Sequence, residues 1–559
     1  MDKPWLKSYP AGISHEIDPS LYNSVAELFE ESLEKFSDLP AFSNMAKTLT
    51  YADMDRLTRD LAAYLQSLPG MEKGDRVAIM MPNILQDPIA IFAVLRSGFT
   101  VVNTNPLYTP RELRHQLKDS GAKVILVVEN FCHTLEQVIE DTDVQHVITT
   151  QLGDLLGFPK SLIVNSVVKH VKKMVPPFSL PGAVPFRKAL SLGASLPFAK
   201  PELTHDDLAF LQYTGGTTGL AKGAMLTNRN MVANMLQASE WIKTRMEERK
   251  EVIITALPLY HIFSLTANCL VFMKEGALNY LITNPRDMKG FVKELGKVKF
   301  TAITGVNTLF NGLLNTPGFA DLDFSHLKLT LGGGMAVQQA VAERWRRVTG
   351  APLIEAYGLT ETSPAACINP MDLEDWNGSI GLPVPSTEVS IRSEDGEFLP
   401  IGEVGELCIR GPQVMKGYWN LPEETAYVLD EKGWLKTGDV ARMDENGYVY
   451  IVDRKKDMIL VSGFNVFPNE VESVIVEVPG VLEVGVIGVP DPEGSGEIVK
   501  AVVVRNDNSL TEEEIIAHCR KELTGYKVPK IIEFRDELPK TNVGKILRRE
   551  LREQARSES

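Results

Sequence analysis

Residues 211–230 read LQYTGGTTGLAKGAMLTNRN, in which a short apolar run passes directly into a loop rich in glycine and threonine. Small residues let backbone N–H groups approach an anion, and threonine hydroxyls and Lys222 add further donors. The loop is not a Walker A loop, because Gly215 would then need a second glycine five residues later, where Leu220 stands. Its composition alone is consistent with either a phosphate-binding loop or a plain tight turn.

The segments around this loop predict an α/β fold. Short apolar strands alternate with helical stretches, as in parallel sheets whose faces are covered by helices. The predicted strands are 76–82, 123–129, 208–213 and 223–226, and predicted helices are 57–68 and 88–97. A further helix is expected after the loop, capped by Thr227 or Asn228.

The pattern changes twice in the second half of the chain. From about residue 384, short strands and turns predict a β-rich subdomain. The charged run DRKKD at 453–457 then precedes an α+β pattern, in which Thr511 opens a capping-box sequence, TEEE. We therefore predict a large N-terminal domain (1–452) of α/β subdomains plus the β-rich one, a hinge (453–457) and a small mobile α+β C-terminal domain (458–559).

Composition narrows the class of protein. The chain has 559 residues and a net charge of −15, from 58 Lys+Arg against 73 Asp+Glu. Such an acidic protein is not expected to bind nucleic acid, which requires a basic face. The five cysteines are too scattered for a zinc or redox motif, which favours a reduced, cytoplasmic compartment. The sequence MDKPWLKSYP predicts no secretory signal, and no apolar run reaches the ~18 residues of a membrane span.

One segment has the opposite charge. Residues 155–200 contain no Asp or Glu but seven Lys and Arg, interleaved with apolar residues. One interpretation is that this segment is a connecting loop whose basic side chains face the solvent. The other is a contact with a membrane surface or an entrance for an apolar anion, which would make the protein peripheral on the inner face of the cell membrane.

Further motifs follow the loop in a fixed order. They are PLYHIF (258–263), TLGGGMA (330–336), EAYGLTETSP (355–364), GWLKTGD (433–439), YIVDRKKDMI (450–459) and PKTNVGKILRREL (539–551). Together with YTGGTTGLAKG, these motifs closely resemble the AMP-forming adenylating superfamily from about residue 25 to 550. The run 433–458 is most similar to the signature region of long-chain fatty acyl-CoA synthetases.

This resemblance implies an ATP site. The residues that would bind the nucleotide are Tyr213, Thr214, Gly215, Gly216, Thr217, Thr218, Gly219, Lys222, Gly332, Gly333, Gly334, Tyr357, Gly358, Asp439 and Arg454. In this interpretation the first loop holds the β- and γ-phosphates, Tyr357 and the three glycines flank adenine, and Asp439 accepts both ribose hydroxyls. Arg454 makes a second ribose or phosphate contact, whereas its neighbour Asp453 is ranked lower, as a structural turn residue.

The resemblance also implies the catalytic groups. Glu361 would ligate Mg²⁺, Thr360 would contact the α-phosphate, and His261 would lie near the acyl carboxylate, although alone it is more typical of a core histidine. Lys545 would enter from the small domain and bridge carboxylate and α-phosphate. Lys456 would be the pivot of domain movement, and Gly463 would lie beside the pantetheine tunnel for CoA.

The expected reaction joins a long-chain fatty acid to CoA through acyl-AMP, with ATP and CoA as co-substrates. An aryl- or medium-chain acyl-CoA ligase remains an alternative. Two weaker alternatives are a fatty acyl-AMP ligase acting on a carrier protein and a non-catalytic binding protein. No carrier domain is expected after residue 559. Chain-length preference and oligomeric state are left open, with a homodimer as one alternative.

Overall fold

The computed structural model describes residues 3–214, 221–461, 464–491, 496–541 and 544–558. In chain order the strands are β1 Pro40–Asn44, β2 Lys47–Thr50, β3 Arg76–Met80, β4 Thr100–Asn103, β5 Val124–Val128, β6 His146–Thr150, β7 Val184–Pro185, β8 Leu208–Thr214, β9 Lys222–Thr227, β10 Val252–Thr255, β11 Leu278–Leu281, β12 Ala302–Gly305, β13 Leu329–Gly333, β14 Leu353–Gly358, β15 Ala365–Ile368, β16 Leu382–Pro383, β17 Glu388–Arg392, β18 Gly405–Arg410, β19 Leu435–Met443, β20 Val449–Arg454, β21 Ile459–Val461, β22 Phe464–Val466, β23 Val481–Pro490, β24 Glu497–Arg505 and β25 Ile531–Arg535.

The α-helices lie between these strands. They are α1 Val25–Lys35, α2 Tyr51–Ser67, α3 Gln86–Arg96, α4 Pro110–Ser120, α5 Cys132–Glu136, α6 Lys160–Ser166, α7 Phe186–Gly193, α8 Asn228–Ile242, α9 Ile262–Ser264, α10 Val271–Lys274, α11 Met288–Leu295, α12 Asn307–Leu314, α13 Gln339–Thr349, α14 Pro422–Val428, α15 Pro468–Ile475, α16 Glu512–Glu522 and α17 Arg548–Glu558. The π-helical segment Leu265–Leu270 joins α9 to α10, and a second one, Val167–Val171, extends α6.

Two mixed sheets form the body of the protein. One has the order β7-β6-β5-β3-β4-β8-β9, parallel except for the antiparallel β8–β9 pair. The other has the order β16-β15-β14-β13-β12-β10-β11-β1-β2, and its central strands β14, β13, β12, β10, β11 and β1 are parallel. Their apolar strands are buried on both faces, which is why β5 reads VILVV. The predicted α/β class is confirmed.

A third, antiparallel sheet has the order β17-β18-β19-β20. It corresponds to the β-rich subdomain expected from about residue 384. Beyond it, β23, β24 and β25 form a separate sheet that packs with α15 and α16 around its own buried cluster, from Ile459 to Ile532. Helix α17 packs against β23 and buries Leu551 in a second, smaller cluster. The main buried cluster ends at Val449. The exact division at 453–457 stays a prediction.

Local sequence signals explain several helix starts. Thr227 accepts a hydrogen bond from the Asn230 N–H while the Asn230 side chain accepts from Thr227, so the predicted cap of α8 is confirmed. Thr511 and Glu514 form the predicted capping box of α16. Such a cap stabilises a helix by about 1 kcal/mol. Among the described residues, no helix combines the length and apolar character needed to cross a bilayer.

Candidate active site

A cavity of about 1300 Å³ lies where the two large sheets and the small domain meet. Its floor is formed by the carboxyl ends of parallel strands: β12 contributes Thr304, β13 contributes Gly333, and β8 contributes Gln212. Ligands in α/β proteins bind at this edge because loops and helix N-termini converge there. The volume exceeds the 300–1000 Å³ of common single-ligand pockets, so the cavity has room for two ligands at once.

Asp439, Tyr357 and Arg454 form a polar cluster in its wall. The β19–β20 register pairs Asp439 with Arg454, and their side chains lie 3.4 Å apart (Oδ1 to Nε). Tyr357, near the end of β14, donates its hydroxyl to Oδ2 of Asp439 at 2.5 Å. Burial, together with the negative charge of Asp439, raises the pKa of Tyr357 far above its usual value. The tyrosine therefore stays neutral, and Asp439 presents a buried carboxylate toward the cavity.

Glu361 lies one turn beyond β14, in the short 3₁₀ helix Thr360–Thr362, and both Thr360 and Glu361 line the cavity. Tyr418 donates its hydroxyl to Oε1 of Glu361 at 2.6 Å, and the backbone N–H of Met415 donates to the Glu361 carbonyl at 2.8 Å. The carboxylate is thus held from a loop more than fifty residues away. Nothing in the local sequence pointed to Tyr418.

Lys222 lies behind this carboxylate. Its Nζ is 2.5 Å from Oε2 of Glu424 on α14 and 5.2 Å from the centre of the Tyr418 ring. The structure therefore pairs Lys222 with an acidic side chain. Glu424 is nearly half exposed, and exposed ion pairs contribute only about 0–1 kcal/mol to stability.

Lys545 reaches the cavity from the small domain. Thr308, in the first turn of α12, donates its hydroxyl to the Gly544 carbonyl at 3.1 Å, which docks the lysine loop on the large domain. A Cβ built at Gly334 would lie 3.3 Å from Cε and 3.8 Å from Nζ of Lys545, so the ammonium group lies directly beside this glycine. Burial, together with the positive charge of Arg454, lowers the pKa of Lys545 to about 8, although Asp439 and Glu361 oppose the shift.

His261 lies at the start of α9, and its Nδ1 accepts a hydrogen bond from the Phe263 N–H at 3.3 Å. Burial, with a smaller contribution from the positive charge of Lys545, lowers the pKa of His261 to about 3. The imidazole is therefore neutral and lies within electrostatic range of Lys545. Next to it, Gln212 donates to the Tyr260 carbonyl at 2.6 Å and also lines the cavity. Sequence reasoning missed Gln212, because one amide in an apolar strand carries no signal.

The remaining predicted nucleotide residues divide into two groups. Those that line the cavity are Tyr213, Thr214, Gly333, Gly334 and Gly358. Gly332 points elsewhere: a Cβ there would meet Val337 at 2.7 Å, so its small size serves packing behind the wall. The Tyr213 hydroxyl donates to Oδ2 of Asp119 at 2.5 Å, which ties the end of β8 to the end of α4.

Some predicted residues lie outside the described part of the chain. They are Gly215, Gly216, Thr217, Thr218 and Gly219 of the first loop, and Gly463. The proposed pivot, Lys456, lines the cavity, and burial lowers its pKa.

A mainly apolar part of the cavity lining, here called the arm, comes from two packed helical segments of the large domain. Asn234, Ala238 and Ile242 line it at every fourth residue of α8, which places them on one helix face. Ala267 and Val271 do the same on the continuous helical run from α9 to α10, which packs against α8. The arm is therefore mainly apolar and belongs to the same cavity as the polar cluster, an arrangement suited to a ligand with a charged head and a hydrocarbon tail.

The chain matches the family described as AMP-binding enzyme over residues 29–419, and the AMP-binding enzyme C-terminal domain over 470–545. Two curated relatives are each named long-chain-fatty-acid–CoA ligase. The one from Escherichia coli O6:H1 is 58% identical over 556 residues, covering 100% of this chain and 99% of its own. The one from Haemophilus influenzae is 55% identical over 557 residues, covering 99% of each chain.

A solved structure, ATP-bound MatB from Rhodopseudomonas palustris, superposes with a TM-score of 0.79 at 28% identity, covering 96% of this chain and 100% of its own. The likeness extends over both domains of this chain. The matched family covers most of the sequence, and the predicted superfamily is confirmed: the chain belongs to the AMP-binding enzyme family.

Proposed function

We propose that this protein activates long-chain fatty acids to acyl-CoA through an acyl-AMP intermediate, consuming ATP and CoA and releasing pyrophosphate and AMP. The observation that carries the proposal is the single cavity in which an apolar arm ends at a polar cluster reached by Lys545. The full-length relatives at 55–58% identity, all named long-chain-fatty-acid–CoA ligase, support the long-chain substrate over the aryl alternative.

In this proposal the nucleotide binds over the carboxyl ends of β13 and β14. Asp439 accepts the two ribose hydroxyls, since a carboxylate is an acceptor facing two donors. Arg454 lies 3.4 Å from that carboxylate and adds a positive charge beside it. Tyr357, Gly333 and Gly334 line the same wall and offer a flat aromatic face and close backbone approach for adenine.

We propose that Mg²⁺ binds in this site, and the side chains present there are suitable for it. Among the described residues, no group of three or more His, Cys, Asp or Glu side chains converges as a closed metal cage. Mg²⁺ needs no such cage, because it commonly binds one or two carboxylates together with substrate phosphates. Glu361, held by Tyr418, is the carboxylate that would hold it beside the phosphates, where the ion would neutralise charge on the departing pyrophosphate.

Lys545 is proposed as the cation of the first step. A fatty carboxylate oxygen attacks the α-phosphorus, the bond from that phosphorus to the bridging oxygen breaks, and pyrophosphate leaves with the electron pair. Two unit charges 4 Å apart repel by about 4 kcal/mol at an effective dielectric constant of 20. A lysine between the carboxylate and the α-phosphate offsets this repulsion. Neutral His261 adds no charge of its own and lies where it can orient the carboxylate.

The second step forms the thioester. The CoA thiolate attacks the acyl carbonyl, and AMP leaves with the electrons of the carbonyl–oxygen bond. We propose that rotation about Lys456 first withdraws Lys545 and brings the segment around Gly463 to the cavity for pantetheine. The hydrogen bond from Thr308 to the Gly544 carbonyl, which docks the lysine loop, would break in this movement.

The first experiment measures ATP-dependent pyrophosphate and AMP release with acetate, octanoate, palmitate and coumarate, with and without CoA. We expect palmitate turnover in which AMP release requires CoA. Pyrophosphate release without a CoA-dependent thioester would instead indicate an acyl-AMP ligase. Preference for coumarate would support the same reaction but contradict the proposed long-chain substrate.

We further propose that the protein binds the inner face of an anionic membrane through a basic–apolar patch, defined as residues 158–174. This short segment holds five of the exposed large apolar side chains of the described chain: Phe158, Leu162, Ile163, Val171 and Met174. Phe158 is 88% exposed and Val171 is 73% exposed. Lys169, Lys172 and Lys173 are exposed beside them, and the wider segment 155–200 has no acidic residue. Apolar side chains with flanking cations are typical of interfacial binding.

Vesicle co-sedimentation tests the patch. Lys169, Lys172 and Lys173 are changed together to Glu, and the matched control reverses three exposed lysines elsewhere, Lys289, Lys299 and Lys432. Both variants change the net charge equally. We expect only the first to lose binding to vesicles containing phosphatidylglycerol, by roughly 100-fold or more, from about 1 kcal/mol for each of three lysines near the surface. Equal binding by both variants would contradict the proposal.

A further inference from the structure

Asp453 lies at the junction of the two domains and is fully buried although it is a carboxylate. It belongs to β20 and pairs with Val440 of β19, so it is part of the large domain. It stands three residues before the proposed pivot, Lys456. A buried carboxylate lowers the stability of the fold unless it is hydrogen-bonded and paired with a positive charge. The partners of Asp453 therefore indicate its role.

The first partner is the N-terminus of α15, in the small domain. The N-cap residue of α15, Phe467, provides no side-chain cap. Instead, the N–H of Asn469 donates to Oδ2 of Asp453 at 2.9 Å. Asp453 thus caps this helix from the other domain, where an acceptor with negative charge is favoured by the unpaired N–H groups and the helix dipole.

The second partner is Arg548, the first residue of α17. Its Nη1 lies 3.5 Å from Oδ1 of Asp453, while Nε and Nη2 contact the Glu472 carboxylate at 3.0 and 2.7 Å. Glu472 belongs to α15, so this bidentate pair lies within the small domain. The contact with Asp453, by contrast, crosses the pivot. Arg548 also lies only three residues after Lys545, which links the same side chain to the position of the lysine loop.

We propose that Asp453 is a positioning residue that holds the small domain in the orientation in which Lys545 enters the cavity. Both of its cross-domain contacts break if the small domain rotates about Lys456, whereas the Arg548–Glu472 pair moves as part of that domain. Asp453 therefore favours acyl-AMP formation over the thioester step without touching either substrate. The inference rests on the proposed function and deepens it.

The variant is Asp453→Ala, and the matched control is Asp457→Ala. Asp457 is also a buried acid, contacting Arg548 at 3.6 Å and Arg552 at 2.9 Å, but it follows the pivot and lies on the small-domain side. Removal of Asp457 alters the same arginine cluster without removing a contact that crosses the pivot. Asp453→Asn adds a test of rescue, because its amide oxygen still accepts from the Asn469 N–H but attracts Arg548 less.

Two half-reactions are measured separately: single-turnover pyrophosphate release from palmitate and ATP, and CoA-dependent consumption of preformed palmitoyl-AMP. We expect Asp453→Ala to slow the first by roughly 2- to 30-fold, the range for loss of a helix cap, and to leave the second unchanged or faster. Asp453→Asn should recover part of the loss, and Asp457→Ala should leave the ratio of the two rates unchanged. Equal slowing of both half-reactions by Asp453→Ala would overturn the proposal.

A measurement without substrate separates this inference from the proposed reaction. Fluorophores are attached at Tyr427→Cys in the large domain and Ala517→Cys in the small domain, both exposed positions, while the described cysteines are buried. We expect Asp453→Ala to change the transfer efficiency and Asp457→Ala to leave it unchanged. If the wild-type protein does not activate palmitate but Asp453→Ala still changes the transfer efficiency, the proposed reaction is contradicted while the positioning role of Asp453 is supported. An unchanged efficiency would refute that role.

Discussion

The polar end of the cavity and its apolar arm are built in different ways. The polar end is assembled across a domain boundary, with Asp439 from the third sheet, Tyr357 from β14 and Lys545 from the small domain. The arm is lined by one face of α8 and the adjoining helical run, entirely within the large domain. In the proposed reaction, movement of the small domain would therefore change the charges around the reacting atoms, while the apolar lining in the large domain would stay in place.

Lys545→Ala should have the largest effect. Loss of the Lys545 ammonium group, which the small domain presents beside Gly334, is expected to slow acyl-AMP formation by roughly 10²–10³-fold or more, as when a preorganised electrostatic donor is removed. The loss should be the same for octanoate and palmitate, because Lys545 lies at the polar end. Pyrophosphate release measures it, and consumption of preformed palmitoyl-AMP with CoA should be almost unaffected.

Lys540→Ala is the control for this prediction. Lys540 belongs to the same loop region but pairs with Glu483 at 2.6 Å inside the small domain. Near-normal acyl-AMP formation by Lys545→Ala, or an equal loss in Lys540→Ala, would contradict the assignment of Lys545.

Ala238→Phe should act on the arm and therefore depend on chain length. Ala238 lines the cavity midway between Asn234 and Ile242, and an aromatic ring there would occupy space needed by the tail. Each buried methylene contributes about 0.8 kcal/mol, so exclusion of two or three should lower kcat/KM for palmitate by roughly 10–100-fold. Octanoate should change by only a few-fold. Ala238→Ser, which leaves the arm open, is the control, and thermal unfolding checks the fold of both variants.

The pH profile should show the smallest effect and should separate the two half-reactions. The lowered pKa of Lys545, about 8, means that the cationic form is lost as the pH rises through that value, two units or more below the range for a solvent-exposed lysine. We expect kcat/KM for acyl-AMP formation to fall about fivefold between pH 8 and 9, since this parameter reports the free enzyme. The thioester step measured from palmitoyl-AMP should lack this limb.

His261 should not contribute to that profile, because its pKa of about 3 keeps the imidazole neutral throughout the neutral range. Lys545→Arg, if it retains activity, should lose the alkaline limb, since a guanidinium stays charged. A limb at the same pH in Lys545→Arg would show that another group titrates there.

Sequence analysis anticipated the residues that lie in short motifs and whose chemistry is local. Asp439, Tyr357 and Glu361 were all named from contiguous stretches and lie in or beside the cavity wall. The caps at Thr227 and Thr511 were predictable because they involve residues three positions apart. Gly332 differs from its neighbours, because alternation along a strand turns it away from the cavity, and a run of three glycines does not show which of them faces the ligand.

The sequence by itself determined the α/β class, the family, the order of the motifs and the acid-free character of 155–200, because these depend on local periodicity, composition and contiguous residues. Only the tertiary structure decided that Lys222 pairs with Glu424, that Tyr418 holds Glu361, that the arm runs along α8, and that Asp453 caps a helix of the other domain. Those contacts join residues sixteen to about two hundred positions apart. Their geometry is set by how sheets and helices pack in space, which no single stretch of sequence encodes.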